Sequence, residues 1–158
     1  QAMMCRGAPG IAAVAELPDL RGFACGGLPT IAGSVPEGLM PIGQMDLVPL
    51  ETWAPILRQK KLQRFEFAGV PTEELVVALR GQTGLRELRL DASPWTRFSF
   101  ALGGGKEGPL ELPMPSFACL AELPLLRLVE LVGPSASLET AVRVAVPAGV
   151  RVEVLPVH

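Results

Sequence analysis

The hexapeptide Leu85-Arg86-Glu87-Leu88-Arg89-Leu90 decides the interpretation of the whole chain, because its leucines occupy the apolar positions of an L-x-x-L-x-L frame. Successive side chains of a strand point to opposite faces, so Leu88 and Leu90 share one face and Glu87 and Arg89 share the other. The frame therefore predicts a half-buried strand with leucines inside and charges outside.

The same frame recurs at nearly constant spacing along the chain. Full copies begin at residues 20, 42, 62, 85 and 126, and weaker copies begin at 107 and 149, so the steps are 22, 20, 23, 22, 19 and 23 residues. Self-similarity at a period of 20–50 residues is the sequence signature of a repeat architecture. The chain is therefore predicted to contain seven equivalent units.

A short helix is predicted after each turn. Four prolines follow frames at a similar offset, namely Pro49, Pro71, Pro115 and Pro134. After Pro71, Leu75 and Leu79 stand four residues apart and so share one helix face, and Gly81 suits the left-handed position that ends a helix. The equivalent apolar pairs are Trp53 and Leu57, Cys119 and Leu123, and Leu138 and Val142. Each unit is thus predicted as strand, turn and helix.

This pattern resembles the leucine-rich-repeat family, whose consensus begins L-x-x-L-x-L and continues to an asparagine or cysteine. The resemblance covers residues 17–158, and residues 1–16 are interpreted as a tag remnant and an N-terminal cap segment. The chain departs from the family in containing no asparagine. The resemblance implies an α/β fold, a right-handed solenoid (a horseshoe segment) of about seven repeats of 19–23 residues with a parallel concave sheet. It also implies a protein-protein interaction module.

The concave face is expected to carry one residue from each frame, the one between its last two apolar positions. These residues are Ala24, Asp46, Glu66, Arg89, Glu111, Glu130 and Glu153. Five of the seven are acidic, which predicts a stripe that binds a basic surface of another protein. Arg64 and Arg89 are expected to relieve the repulsion between neighbouring carboxylates. A solvated face without any partner remains an open alternative.

The chain departs from the repeat after Asp91. The segment holds Trp95, Arg97, Phe98 and Phe100 and is followed by three glycines at 103–105. One interpretation is a binding loop. The other is a set of aromatic side chains that cap the core on the convex side.

Composition excludes several classes of function. The formal net charge of -2 gives no electrostatic footprint for nucleic acid, and no run approaches the roughly 18 apolar residues of a membrane span. His158 is the only histidine, and Cys5, Cys25 and Cys119 form no C-x-x-C pair. We therefore expect no metal, no cofactor and no enzyme activity. The poor resemblance of the N-terminus to a signal peptide predicts a cytoplasmic protein.

Two binding functions remain open from the sequence. One is an adaptor, scaffold or substrate-recognition domain; the other is an inhibitor or immunity protein that blocks an enzyme or toxin. A carboxylate-based hydrolase is a remote alternative, since the stripe has no aromatic neighbours and the chain no tyrosine. The apolar stretches 10–17 and 150–157 leave three expectations open, namely caps made of short irregular segments, end-to-end self-association, or a longer parent chain.

Overall fold

The computed structural model describes residues 2–4, 20–27, 54–69, 71, 73–93 and 114–157, and it gives the backbone alone for residues 2–4, 23–27, 54, 55 and 74. Within these residues, six parallel strands form one sheet in the order of the chain. They are β1 (Ala2–Met4), β2 (Gly22–Gly27), β3 (Arg64–Gly69), β4 (Glu87–Asp91), β5 (Leu128–Val132) and β6 (Arg151–Leu155). β1 lies within the predicted cap segment and was not foreseen as a strand.

Short helices cover one face of the sheet. Over the described ranges they are α1 (Ala54–Leu57), α2 (Glu73–Leu79), a 3-10 helix (Ala118–Glu122) and α3 (Ala136–Ala145). Helix and strand side chains belong to one hydrophobic cluster. The protein is therefore of α/β type, with a parallel sheet and a thin helical layer. This confirms the predicted α/β class and the predicted parallel sheet.

Three of the predicted frames build the centre of this core. Their apolar side chains are Leu62, Phe65 and Phe67, then Leu85, Leu88 and Leu90, then Leu126, Val129 and Leu131, and each is at most 6% exposed. Phe65 pairs with Leu88, and Leu88 pairs with Val129, so the apolar rows run straight across three strands. Burial of one such side chain stabilises the fold by about 1.5–3 kcal/mol, which makes these rows its main support.

Three of the four predicted helical pairs face the core; in the fourth, Leu57 is buried and Trp53 lies outside the described residues. Leu75, Leu79, Cys119, Leu123, Leu138 and Val142 are all buried. Gly81 has a φ of +84°, so the predicted left-handed end of α2 is confirmed. The N-cap of α3 is Ser135, whose hydroxyl accepts a hydrogen bond of 3.1 Å from the backbone N–H of Leu138.

The order of the strands corrects the expectation of seven adjacent strands. β2 pairs directly with β3, and β4 pairs directly with β5, so the frames at 42 and 107 add no strand between these neighbours. The first residues of consecutive strands, 2, 22, 64, 87, 128 and 151, are separated by 20, 42, 23, 41 and 23 residues.

The last frame is less well covered than the others. Val152 on β6 is half-buried, and Val154 is 44% exposed. The edge position of β6 explains this exposure among the described residues, since no following strand or helix packs on its apolar side chains.

Candidate functional site

The sheet face opposite the helices carries two rows of side chains in register. The first row is Gly22, Arg64, Glu87, Leu128 and Arg151; the second is Ala24, Glu66, Arg89, Glu130 and Glu153. Their positions alternate with the buried residues of the same strands, which turns the described side chains of both rows outward. The register brings Glu66, Arg89, Glu130 and Glu153 together on four successive strands, as the repeat predicted for these residues.

Arg89 lies between two glutamates of its row. Its Nε is 3.5 Å from Oε1 of Glu66, and its Nη1 is 4.0 Å from Oε2 of Glu130. The Arg89 side chain is 28% exposed, and its Nε has no hydrogen-bond partner although it is buried. These contacts are charge pairing without ideal hydrogen-bond geometry.

Arg64 joins the two rows. Its Nη2 lies 3.9 Å from Oε2 of Glu130, and its Nη1 lies 3.6 Å from Oε2 of Glu87. Glu130 is therefore shared by two guanidinium groups and is only 18% exposed. Arg64 and Arg89 thus lie between the carboxylates, in the positions expected of residues that would relieve the repulsion between them.

Glu153 occupies the end of the described stripe. Its Oε1 lies 2.8 Å from Nε of Arg151 on the same strand. The described face is therefore a mixed array in which Glu66, Glu87, Glu130 and Glu153 all have an arginine partner. It carries a small excess of negative charge.

The other site residues predicted from sequence lie outside the described residues. They are Asp46, Glu111, Trp95, Arg97, Phe98 and Phe100. The chain leaves β4 towards this segment through a tight turn in which Asp91 Oδ1 accepts hydrogen bonds from the backbone N–H of Ser93, at 2.9 Å, and from its hydroxyl.

Sequence reasoning missed a basic edge beside this face. Arg21, Arg86 and Arg127 each stand one residue before a strand, and all three are exposed. Their carbonyls accept hydrogen bonds from the next strand, as in the 2.9 Å bond from Arg151 N to Arg127 O. The missed signal was the arginine at the second position of the frames that begin at 20, 85 and 126.

An open hollow of about 400 Å³ lies along this edge and is lined by Arg86, Glu87, Arg127, Leu128 and Arg151. Glu87 is the only acidic side chain in the lining, and its carboxylate is already paired with Arg64. We call these five lining residues the amino-edge hollow. The net charge of its side chains is positive, opposite in sign to that of the acidic stripe predicted from sequence.

No protein-family model, curated protein or solved structure matches this chain. The resemblance in the L-x-x-L-x-L frames therefore stands on the residues alone.

Other kinds of site find little support in the described ranges. No group of three or more His, Cys, Asp or Glu side chains there could hold a metal ion, and no helix there is long and apolar enough to cross a membrane. Cys119 is buried, and this burial raises the pKa of its thiol above the ordinary value of 9.0, while the charge of Arg80 acts in the opposite direction. A thiol of this kind behaves as a small core residue, not as a nucleophile.

Proposed function

We propose that the chain is a leucine-rich-repeat solenoid that serves as a protein-protein interaction module and binds its partner through the charged face of its sheet. The observation that carries the proposal is the register of Glu66, Arg89, Glu130 and Glu153 on four successive parallel strands. The backbone ladder holds their Cα atoms about 4.8 Å apart, so the charges are displayed on a rigid support.

The strand order supports the solenoid. Consecutive strands are neighbours, all pairs are parallel, and short helices lie on one side. The two long steps, 42 and 41 residues, are each about twice the short steps of 20 and 23. A repeat of about 21 residues that has diverged at the frames beginning at 42 and 107 accounts for both lengths.

The energetics of the face favour recognition over stabilisation. Exposed ion pairs contribute about 0–1 kcal/mol each to folding, so the pairs of Arg151 with Glu153 and of Arg64 with Glu87 do little for stability. A patterned array of charges does steer association and select partners. A partner with basic side chains opposite Glu66 and Glu153 and an acidic group near Arg89 would complement this array.

Two roles fit such a module, an adaptor or substrate-recognition domain and an inhibitor or immunity protein. Both would use the same face, and the identity of the captured partner separates them. Within the part of the chain that the structure describes, nothing favours the hydrolase alternative, because Glu66, Glu130 and Glu153 are each paired with arginine.

Affinity capture from the native lysate, read by mass spectrometry, tests the face. The face variant carries Glu66→Lys and Glu153→Lys. The control variant carries Glu73→Lys and Glu122→Lys, which make the same change in net charge at exposed positions on the helical side. Circular dichroism melting establishes that both variants are folded.

We expect a partner that the parent and the control variant retain and the face variant loses. Equal retention by the two variants would overturn the proposal and leave the charged face as a solvated surface. Retention by the face variant alone would move the binding surface to the helical side.

A further inference from the structure

We propose that the amino-edge hollow is a second binding site, which takes a short acidic peptide segment of a protein through Arg86, Arg127 and Arg151. This inference goes beyond the proposed function, because it concerns the edge of the sheet and a partner group of opposite charge.

The first argument is the unbalanced charge of Arg86 and Arg127. Both are exposed, and neither forms an ion pair with any residue in the described part of the chain. The backbone N–H of Arg127 donates a hydrogen bond of 2.9 Å to the carbonyl of Arg86, so the two residues are cross-strand neighbours. Like charges at such positions destabilise a sheet, and an anion between them would remove that cost.

The second argument is the supply of hydrogen-bond donors. Arg151 uses its Nε for Glu153, which leaves its terminal nitrogens free to reach towards the hollow. A guanidinium group presents a planar fork of donors that matches a carboxylate with two parallel hydrogen bonds. Three such groups around one hollow can hold two carboxylates of an extended peptide.

The third argument is the apolar floor. Leu128 lies in the first row of the outward face between Glu87 and Arg151 and is only partly buried. An apolar side chain of a bound peptide can cover Leu128 while flanking carboxylates reach the arginines. A bare inorganic anion would leave this surface unused.

The surroundings favour a peptide over a nucleic acid. Glu66, Glu87, Glu130 and Glu153 lie on the adjoining face, and the formal net charge of the chain is -2. A long polyphosphate backbone leaving the hollow would meet these carboxylates, and its binding relies on many basic contacts. A short peptide segment with two or three carboxylates would meet only the positive charges of the hollow.

Fluorescence anisotropy with a labelled synthetic peptide of alternating glutamate and leucine tests the proposal at low salt. A matched peptide with glutamine for glutamate is the control for charge. Inorganic phosphate and a single-stranded oligonucleotide, used as competitors, test the other sources of negative charge.

The hollow variant carries Arg86→Gln and Arg127→Gln, and the control variant carries Arg58→Gln and Arg143→Gln at exposed positions on the helical side. We expect the parent and the control variant to bind the acidic peptide, and the hollow variant to bind it about tenfold more weakly or worse, the effect of losing about 1.4 kcal/mol of interaction. Added salt should weaken the parent complex. The hollow variant should melt no lower than the parent, since it loses only repulsion.

Three results would overturn the proposal. They are no binding of the acidic peptide by the parent, equal binding of the glutamine peptide, and equal binding by the hollow and control variants. Tighter binding of the oligonucleotide or of phosphate would assign the hollow to that ligand instead. The Glu66→Lys, Glu153→Lys variant should still bind the acidic peptide, so failure of the proposed face and failure of the hollow are separate outcomes.

Discussion

The side-chain amide of Gln82 donates a hydrogen bond to the backbone carbonyl of Leu57, 25 residues earlier, and so ties the loop after α2 to the end of α1. Gln82 is only 1% exposed, and its amide oxygen has no hydrogen-bond partner. A buried polar side chain that joins the loop after α2 to the end of α1 constrains how the two units stack.

Gln82→Ala should therefore lower the free energy of unfolding by about 1–3 kcal/mol, because the carbonyl of Leu57 is left buried and unpaired. Urea denaturation followed by circular dichroism measures this loss. Gln59→Ala removes the same side chain from an exposed position and should change stability by less than about 0.5 kcal/mol. Equal losses of stability for the two variants would show that the hydrogen bond from Gln82 to Leu57 does not stabilise the fold.

Arg89→Ala should destabilise the protein by about 1–3 kcal/mol, because Glu66 and Glu130 lose the charge that separates them and Glu130 is largely buried. The loss should shrink in about 1 M salt, where the remaining repulsion is screened. Arg143→Ala breaks an exposed pair with Glu139 on α3 and should cost only about 0.3–0.5 kcal/mol. A salt-independent loss at Arg89 would point to packing instead of charge.

Gly133→Ala should cost about 1–3 kcal/mol. Gly133 has a φ of +53°, and a Cβ placed there would lie 2.5 Å from Cγ2 of Val157. Adding Val157→Ala should recover the part of the loss due to the overlap and leave the part due to the backbone. Gly149→Ala, where a Cβ meets nothing within 4 Å, is the control and should be neutral.

Leu88→Ala should be the most damaging of these changes, with a loss of about 2–5 kcal/mol, because Leu88 is 0% exposed at the centre of the apolar rows. Val154 lies in the adjacent apolar row, in register with Leu90 and Leu131, and is 44% exposed on the edge strand. Val154→Ala should therefore cost less than about 1 kcal/mol. Thermal melting ranks the two. A larger effect at Val154 would place the core elsewhere.

The Cys119 thiol should resist iodoacetamide at pH 8 in the folded protein and react in urea, because the native side chain is 3% exposed. Mass spectrometry of the labelled peptides reports this cysteine separately from Cys5 and Cys25. Labelling of Cys119 at the same rate in both conditions would contradict the burial.

The raised pKa of Cys119 also sets the sign of a pH effect. The unfolded chain ionises this thiol above about pH 9 while the native state keeps its proton, so the contribution to stability is present below pH 9 and is lost as the pH rises further. The parent should therefore lose stability faster than Cys119→Ala in that range. If the stability of the two proteins falls equally steeply above pH 9, ionisation of Cys119 does not contribute to the loss.

Much of the fold followed from local pattern. Leu88 and Leu90 are buried because a period of two places them on one face and the next unit supplies the same pattern. Gly81 ends α2 in the left-handed region as its position after an amphipathic run requires. Such features depend on the nearest few residues and on apolar surface, which a sequence displays directly.

The candidate site was predicted less completely. The outward placement of Glu66, Arg89, Glu130 and Glu153 was correct, since it follows from the same period. The basic edge was missed because Arg86 and Arg127 stand one residue before their strands, where the period of two assigns no face. Only pairing across the sheet brings residues 41 positions apart in the chain into one hollow.

Periodicity and side-chain chemistry were therefore enough to derive the strand frames, the inward leucines, the helix pairs and the outward charges, because each is a local consequence of burying apolar surface. Which strands are neighbours was decided by tertiary structure. The pairing of β2 with β3 and of β4 with β5 passes over the frames at 42 and 107, and it determines which charges meet. Which strands become neighbours depends on hydrogen bonding and packing over the whole sheet. The sequence of one frame does not contain this information.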